Sequence, residues 1–184
     1  MQVILASQSP RRKELMGLFH IPFTVRVADI DETMDPNQPA SQEVARVSRA
    51  KAEAVACKPG DVVIAADTIV VCDGQILGKP ADRADAYRML RLLSGRDHQV
   101  MTGLTVLRYG KAEVCTEITD IHFRELTDRE IHNYIATGEP MDKAGAYAIQ
   151  GGAGAFIEGF DGSFENVVGF PVDVVRDMLK QFGF

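Results

Sequence analysis

Residues 62–72, VVIAADTIVVC, are almost all apolar and largely β-branched. A run of this kind predicts a strand buried on both faces, because a strand with one wet face would alternate polar and apolar side chains. Such a strand needs cover above and below, which points to an α/β fold with helices on a central sheet. Two polar residues, Asp67 and Thr68, interrupt the run. An ionised carboxylate inside it costs on the order of several kcal/mol unless it is paired or binds a metal. Asp67 is therefore part of a site, or is satisfied by backbone amides, or lies on a strand wetter than its neighbours suggest.

The flanking sequence supplies the other layers. Val3–Ala6 reads as a short strand, and Ser9-Pro10 as the N-cap and first position of a helix with Leu15, Met16 and Phe19 on one face. Residues 23–28 alternate as a strand, and 41–56 form a second helix closed by Pro59-Gly60. Asp73-Gly74 predicts a tight hairpin in which Cys72 pairs with Gln75. Extended, that register sets Thr68 opposite Lys79, although Gly78 and Pro80 work against regular pairing. Lys79 is expected near Asp67, or else is a solvated turn lysine. Further helices are expected at 82–93, from the Thr127/Glu130 capping box to near Gly138, and from Pro171 onward. Long strands at 98–108 and 112–124 turn at Gly110, and 144–169 is rich in Gly and Ala. The mixture predicts a mixed sheet in one domain.

Bulk properties limit the function. The 184 residues are 46% hydrophobic and 25% charged, enough for a core, with a net charge of −6. That balance argues against binding a nucleic-acid polymer or a membrane surface, which favours basic proteins. Cys57, Cys72 and Cys115 are far apart and odd in number, so neither a disulfide framework nor a zinc motif is expected. With no basic leader and no apolar stretch of membrane length, a soluble cytoplasmic protein is expected. The histidines at 20, 98, 122 and 132 are scattered.

Against this acidic background, Arg11, Arg12 and Lys13 crowd the first turn of a helix, the end where the macrodipole disfavours cations. A bound anion would remove the conflict. Lys51 falls in the apolar stripe Val44, Val47, Ser48, Val55 and either snorkels to water or points into a site. Asp29, Asp31 and Glu32 form an acidic loop that is either a solvated turn or a source of oxygen ligands for a hard cation. Cations, a helix N-terminus and carboxylates together fit a phosphorylated ligand with Mg²⁺. No Walker sequence, dinucleotide fingerprint or nucleophile elbow is present.

Taken in order, LASQSPRRKEL, AADTIV, GKP, SGRDHQVMTG and DKAGAYAIQG resemble the Maf family of nucleoside triphosphate pyrophosphatases along nearly the whole chain. The resemblance implies an inosine-triphosphatase-like fold, with two lobes around a deep cleft, residues 1–184 as one domain, and a homodimer. It implies hydrolysis of a nucleoside triphosphate to monophosphate and pyrophosphate with a divalent metal, Mg²⁺ or Mn²⁺. Arg11, Thr68 and Gln150 match the subgroup acting on dTTP and UTP, with house-cleaning of modified nucleotides as a related role. Alternatives are 7-methyl-GTP or ITP/XTP as substrate, or a non-catalytic nucleotide sensor. By the same resemblance Asp67 is the general base and, with Glu32, the metal ligand. Arg12, Lys51 and Lys79 neutralise phosphate, and Ser7 and Ser9 donate hydroxyls to it. Arg11, Thr68 and Gln150 read the base, and Lys13 is ordinary surface. Ala148 stands where that subgroup commonly has Gly, so a left-handed backbone there would displace Gln150.

Overall fold

A computed structural model describes residues 1–184. In chain order the elements are β1 (Val3–Leu5), α1 (Pro10–Gly17), β2 (Phe23–Val25), α2 (Ala40–Ala54), β3 (Val62–Cys72), β4 (Gln75–Leu77) and α3 (Arg83–Leu93). They continue as β5 (Asp97–Arg108), β6 (Lys111–Phe123), α4 (Asp128–Ala136), β7 (Ile157–Asp161), α5 (Phe164–Val168) and α6 (Val172–Gln181). The strands pair in the order β2-β1-β3-β5-β6-β7, with β4 on β3, and both parallel and antiparallel pairs occur. The fold is α/β with a mixed sheet, as expected. No helix is long and apolar enough to cross a membrane.

The chain packs as two compact units. The first comprises Met1–Asp67, Thr102–Glu117 and Gly169–Phe184, the second Thr68–Met101 and Ile118–Val168. The boundary in β3 falls between the two polar residues of the apolar run.

In the first unit β1 lies between β2 and the start of β3, parallel to both. Val3, Leu5, Val62, Ile64 and Ala66 pack on one side with Met16, Phe170, Val175 and Leu179. Ile4, Ala6, Val63 and Ala65 pack on the other with Ala52 and Val55 of α2. The strand is thus buried on both faces, as its composition demands. By period 2, Asp67 falls on the α2 side with Val63 and Ala65. β2 stops at Val25 rather than continuing to 28, because its only partner, β1, is three residues long. Arg26 instead sends its guanidinium to the Ala56 carbonyl at 2.8 Å.

α2 approaches β5 closely. A Cβ on Gly103 would stand 2.3 Å from the Val44 carbonyl oxygen, so only glycine fits under the helix. Two residues along, Thr105 and Ser48 share a buried hydroxyl hydrogen bond of 2.8 Å.

In the second unit, Asp73 (φ 50°) and Gly74 (φ 75°) make the hairpin, with Cys72 opposite Gln75. The ladder ends at Val70 opposite Leu77, so Thr68 and Lys79 are not partners. Past that point the Gly78 carbonyl accepts from Gly145 N–H at 3.1 Å, and Pro80 has no donor for a ladder. α3 and α4 bury Ala86, Met89, Leu90, Leu93, Ile131 and Ile135 against Val70, Leu77 and Phe123. The expected capping box is present. Thr127 Oγ1 accepts from Glu130 N–H at 3.2 Å, and Glu130 Oε2 accepts from Thr127 N–H at 2.9 Å. Two 3₁₀ turns, β7 and α5 occupy the Gly/Ala-rich stretch, where composition alone indicated no element.

His98 is buried in this unit, its Nε2 2.7 Å from the Tyr147 hydroxyl and its ring edge-on to Phe123. Its Nδ1 is buried without a hydrogen-bond partner. Burial lowers its pKa to about 4 from 6.5. A folded-state pKa below the unfolded one means the unfolded chain binds the proton first as pH falls.

Two outcomes are expected. Gly103→Ala should lose about 3 kcal/mol of stability, read by urea unfolding, because the added methyl meets backbone that cannot turn aside. His98 contributes stability that is full above pH 6.5 and lost as pH falls to about 4. The unfolding free energy of wild type minus that of His98→Gln should accordingly shrink by about 3 kcal/mol across that window.

Candidate active site

The first unit gathers most of the expected residues. β1 delivers the chain to Ser7, which is buried, and Ser9 caps α1 with its Oγ 3.4 Å from Arg12 N. Pro10 at the first helical position then sends Arg12 back toward β1. Its Nη1 donates to Ser7 Oγ at 3.3 Å and its Nε to the Gly169 carbonyl at 2.8 Å. Ser7 Oγ also accepts from Ser9 N–H at 3.2 Å. Burial lowers the Arg12 pKa, Asp67 opposes that shift, Arg11 adds to it, and Glu32 opposes it. Arg12 therefore lies within the field of both carboxylates. Arg11 is half-buried, and Lys13 is exposed, as expected of a surface residue.

Lys51 resolves the alternative its helix position left open. Its side chain is only 17% exposed and does not snorkel. The ammonium donates to Asp67 Oδ1 at 2.7 Å and reaches Glu32 Oε1 at 3.1 Å. Asp67, 12% exposed at its side chain, is thus paired by a cation from α2 rather than by backbone amides. Of the acidic loop, only Glu32 joins this group. Asp31 turns back to accept from Thr33 N–H at 2.9 Å; hydrogen bonds from the Thr33 hydroxyl first and its N–H second lower the Asp31 pKa, and Asp29 is exposed.

The site's oxygen donors suit a cation that brings ligands of its own. Two carboxylates converge on one point charge, yet no group of three or more His, Cys, Asp or Glu side chains is arranged for a metal. Mg²⁺ is commonly held by one or two carboxylates with water and substrate phosphate completing its shell. Asp67 and Glu32 fit that pattern and do not form an all-protein cage.

Thr68, Lys79 and Gln150 belong to the second unit. Thr68 is half-buried on β3, Lys79 is exposed after β4, and Gln150 is exposed in a turn closed by Gly151 N–H to the Ala148 carbonyl at 3.1 Å. The concern over Ala148 is removed. It is not among the residues with positive φ; that conformation falls on Gly145 (φ 68°) and on buried Ala146 (φ 62°). Gly145 must be glycine for a second reason, since its Cβ would press within 2.8 Å of Val70.

Sequence reasoning missed Gly169, whose carbonyl fixes the Arg12 side chain from 157 positions away. Nothing local to residues 9–13 signals such a partner.

Comparison with known proteins identifies relatives along the whole chain. The dTTP/UTP pyrophosphatase of Anaeromyxobacter dehalogenans (strain 2CP-C) is 50% identical over 187 residues, covering 100% of this chain and 95% of that protein. That of Symbiobacterium thermophilum is 50% identical over 184 residues, with the same coverages. That of Bdellovibrio bacteriovorus is 47% identical over 188 residues, covering 98% of each. Among solved structures, a HAM1 protein from Coxiella burnetii shares the fold at a TM-score of 0.53 and 13% identity, covering 98% of this chain and 99% of that one. The sequence pattern described as "Maf-like protein" matches residues 2–182, and the chain belongs to the Maf family.

Proposed function

We propose that this protein is a nucleoside triphosphate pyrophosphatase that hydrolyses dTTP and UTP to the monophosphate and pyrophosphate. The observation that carries the proposal is Asp67, a strand carboxylate held by Lys51 and sharing that ammonium with Glu32. A protein that only bound phosphate would gain nothing from a carboxylate beside the anion, whereas hydrolysis needs a base. Relatives about 50% identical over the full chain carry the name dTTP/UTP pyrophosphatase, which supports the substrate class.

In this reading Asp67 orients a water molecule and takes its proton as the oxygen attacks the α-phosphorus. The bond from that phosphorus to the bridging oxygen breaks, and pyrophosphate leaves with the electron pair. Arg12, Lys51 and Lys79 neutralise the charge that builds on the departing group. Ser7 and Ser9 each accept from a backbone N–H through Oγ, leaving the hydroxyl hydrogen for a phosphate oxygen. Mg²⁺ or Mn²⁺, held by Asp67 and Glu32, would supply Lewis-acid polarisation of the phosphate oxygens. Arg11, Thr68 and Gln150 select the base, Gln150 through an amide that can face both donor and acceptor edges of a pyrimidine. Family membership supports treating residues 1–184 as one domain and the enzyme as a cytoplasmic homodimer.

Pyrophosphate release from dTTP, UTP, 7-methyl-GTP and ITP with Mg²⁺ tests the proposal. Release is expected from dTTP and UTP foremost, and chelation of the metal should stop it. Asp67→Asn should lower kcat by about 100-fold or more. Arg12→Ala should lower kcat/KM for every nucleotide by about 100-fold. Arg11→Ala should instead narrow the preference among nucleotides. Absence of release from all four would refute the activity, and Asp67→Asn turning over at the wild-type rate would refute the assignment of the base.

A further inference from the structure

Gln150 is exposed, yet the backbone on both sides of it is tied to one linked pair of side chains. Two residues earlier, Ala148 N–H donates to the Tyr134 hydroxyl oxygen at 3.1 Å. Two residues later, Gly152 N–H donates to Glu139 Oε2 at 3.1 Å. Tyr134 and Glu139 are themselves joined, because the phenol donates to the carboxylate; burial first, and this bond second, push the phenol's pKa up.

The pair is held firmly in turn. Tyr134 is 5% exposed on α4, its ring 5.3 Å from that of Phe156. Glu139 follows α4 directly, with its own N–H donated to Thr137 Oγ1 at 3.2 Å. The fit around Gly151 leaves no slack. A Cβ there would lie 1.9 Å from Glu139 Oε1, so the carboxylate packs directly against the turn that presents Gln150.

A charged acceptor makes a stronger hydrogen bond than a neutral one; Tyr134 lies in the last turn of α4, and Glu139 opens the 3₁₀ turn that follows it. The amide of Gln150 discriminates bases only if its donor and acceptor ends are held in place, since a free turn would let it meet either edge of any base. We propose that Tyr134 and Glu139 are positioning residues that clamp the Ala148–Gly152 turn and thereby fix Gln150 for base selection. This rests on the reading above in which Gln150 reads the base. Neither residue touches the substrate.

A double-mutant cycle tests the clamp. Glu139→Ala should raise KM for dTTP and UTP about tenfold while kcat changes less than about twofold, and Glu139→Gln, which keeps an acceptor, should recover most of the loss. In a Gln150→Ala background, Glu139→Ala should change KM by less than about twofold, because the residue it positions is already gone. Tyr134→Phe removes only the hydroxyl and should behave in the same way, which keeps the test available if Glu139→Ala fails to fold. Amide hydrogen exchange reads the clamp without turnover: Ala148 and Gly152 should be protected in wild type and exchange faster in both variants. A full KM effect persisting without Gln150, or a fall in kcat alone, would overturn the proposal. Unprotected amides in wild type would overturn the clamp itself. Protected amides in a protein that releases no pyrophosphate would overturn base selection by failing the underlying function, with the clamp left as architecture.

Discussion

The ammonium of Lys51 is the interaction on which the first unit's design turns. β3 is apolar on both faces, and Asp67 lies where an unpaired carboxylate would be expelled or neutralised. One cation, brought by α2, pairs with it and also gathers Glu32 from an otherwise solvated loop. Because the ammonium must reach the strand, the helix must lie close to the sheet, and that approach is possible only over Gly103. A glycine on β5, a helix stripe and a strand carboxylate thus form one requirement. Deleting the Lys51 charge alone would leave two carboxylates facing each other in a partly desolvated place, so the pair is better understood as a poised site than as a stabilising salt bridge.

The second unit applies related physics to a neutral purpose. His98 Nε2 and the Tyr147 hydroxyl pair inside an aromatic cluster, and burial lowers the imidazole pKa. Beyond the end of α4, the Tyr134 hydroxyl takes the Ala148 N–H and the Glu139 carboxylate takes the Gly152 N–H. At α4's start, Arg124 and the capping box hold the Glu130 carboxyl down to about 2.

Much of this was legible in the sequence where a short-range rule acts alone. The two-sided burial of 62–72, the Asp-Gly hairpin, the Thr127/Glu130 capping box and the stripe of α6 all follow from periodicity or turn chemistry over a few residues. Lys51 stood out, but its direction could not be read, because snorkelling and site-pointing share one helical spacing. β2 reads longer than it is, since alternation persists beyond the point where the partner strand ends. The Gly/Ala-rich stretch concealed two 3₁₀ turns, a strand and a short helix that are held by Glu139, Tyr134, Thr119 and Asn166 rather than by propensity. Long-range partners leave no local trace, and the carbonyl of Gly169 on Arg12 is the clearest case.

That last contact has a consequence for what residue 12 can be. With Nε committed to Gly169 and Nη1 to Ser7, the planar fork is oriented before any anion arrives, and most of its rotamer entropy is already lost in the folded protein. Lysine has the same charge, but its three donors sit on one freely rotating nitrogen, so it lacks the separate Nε and Nη positions that secure the stem here. It would have to be ordered at the moment of binding. Where residue 12 serves a phosphate, as proposed above, keeping its charge would not keep its function: the guanidinium supplies a fixed direction as much as a positive charge.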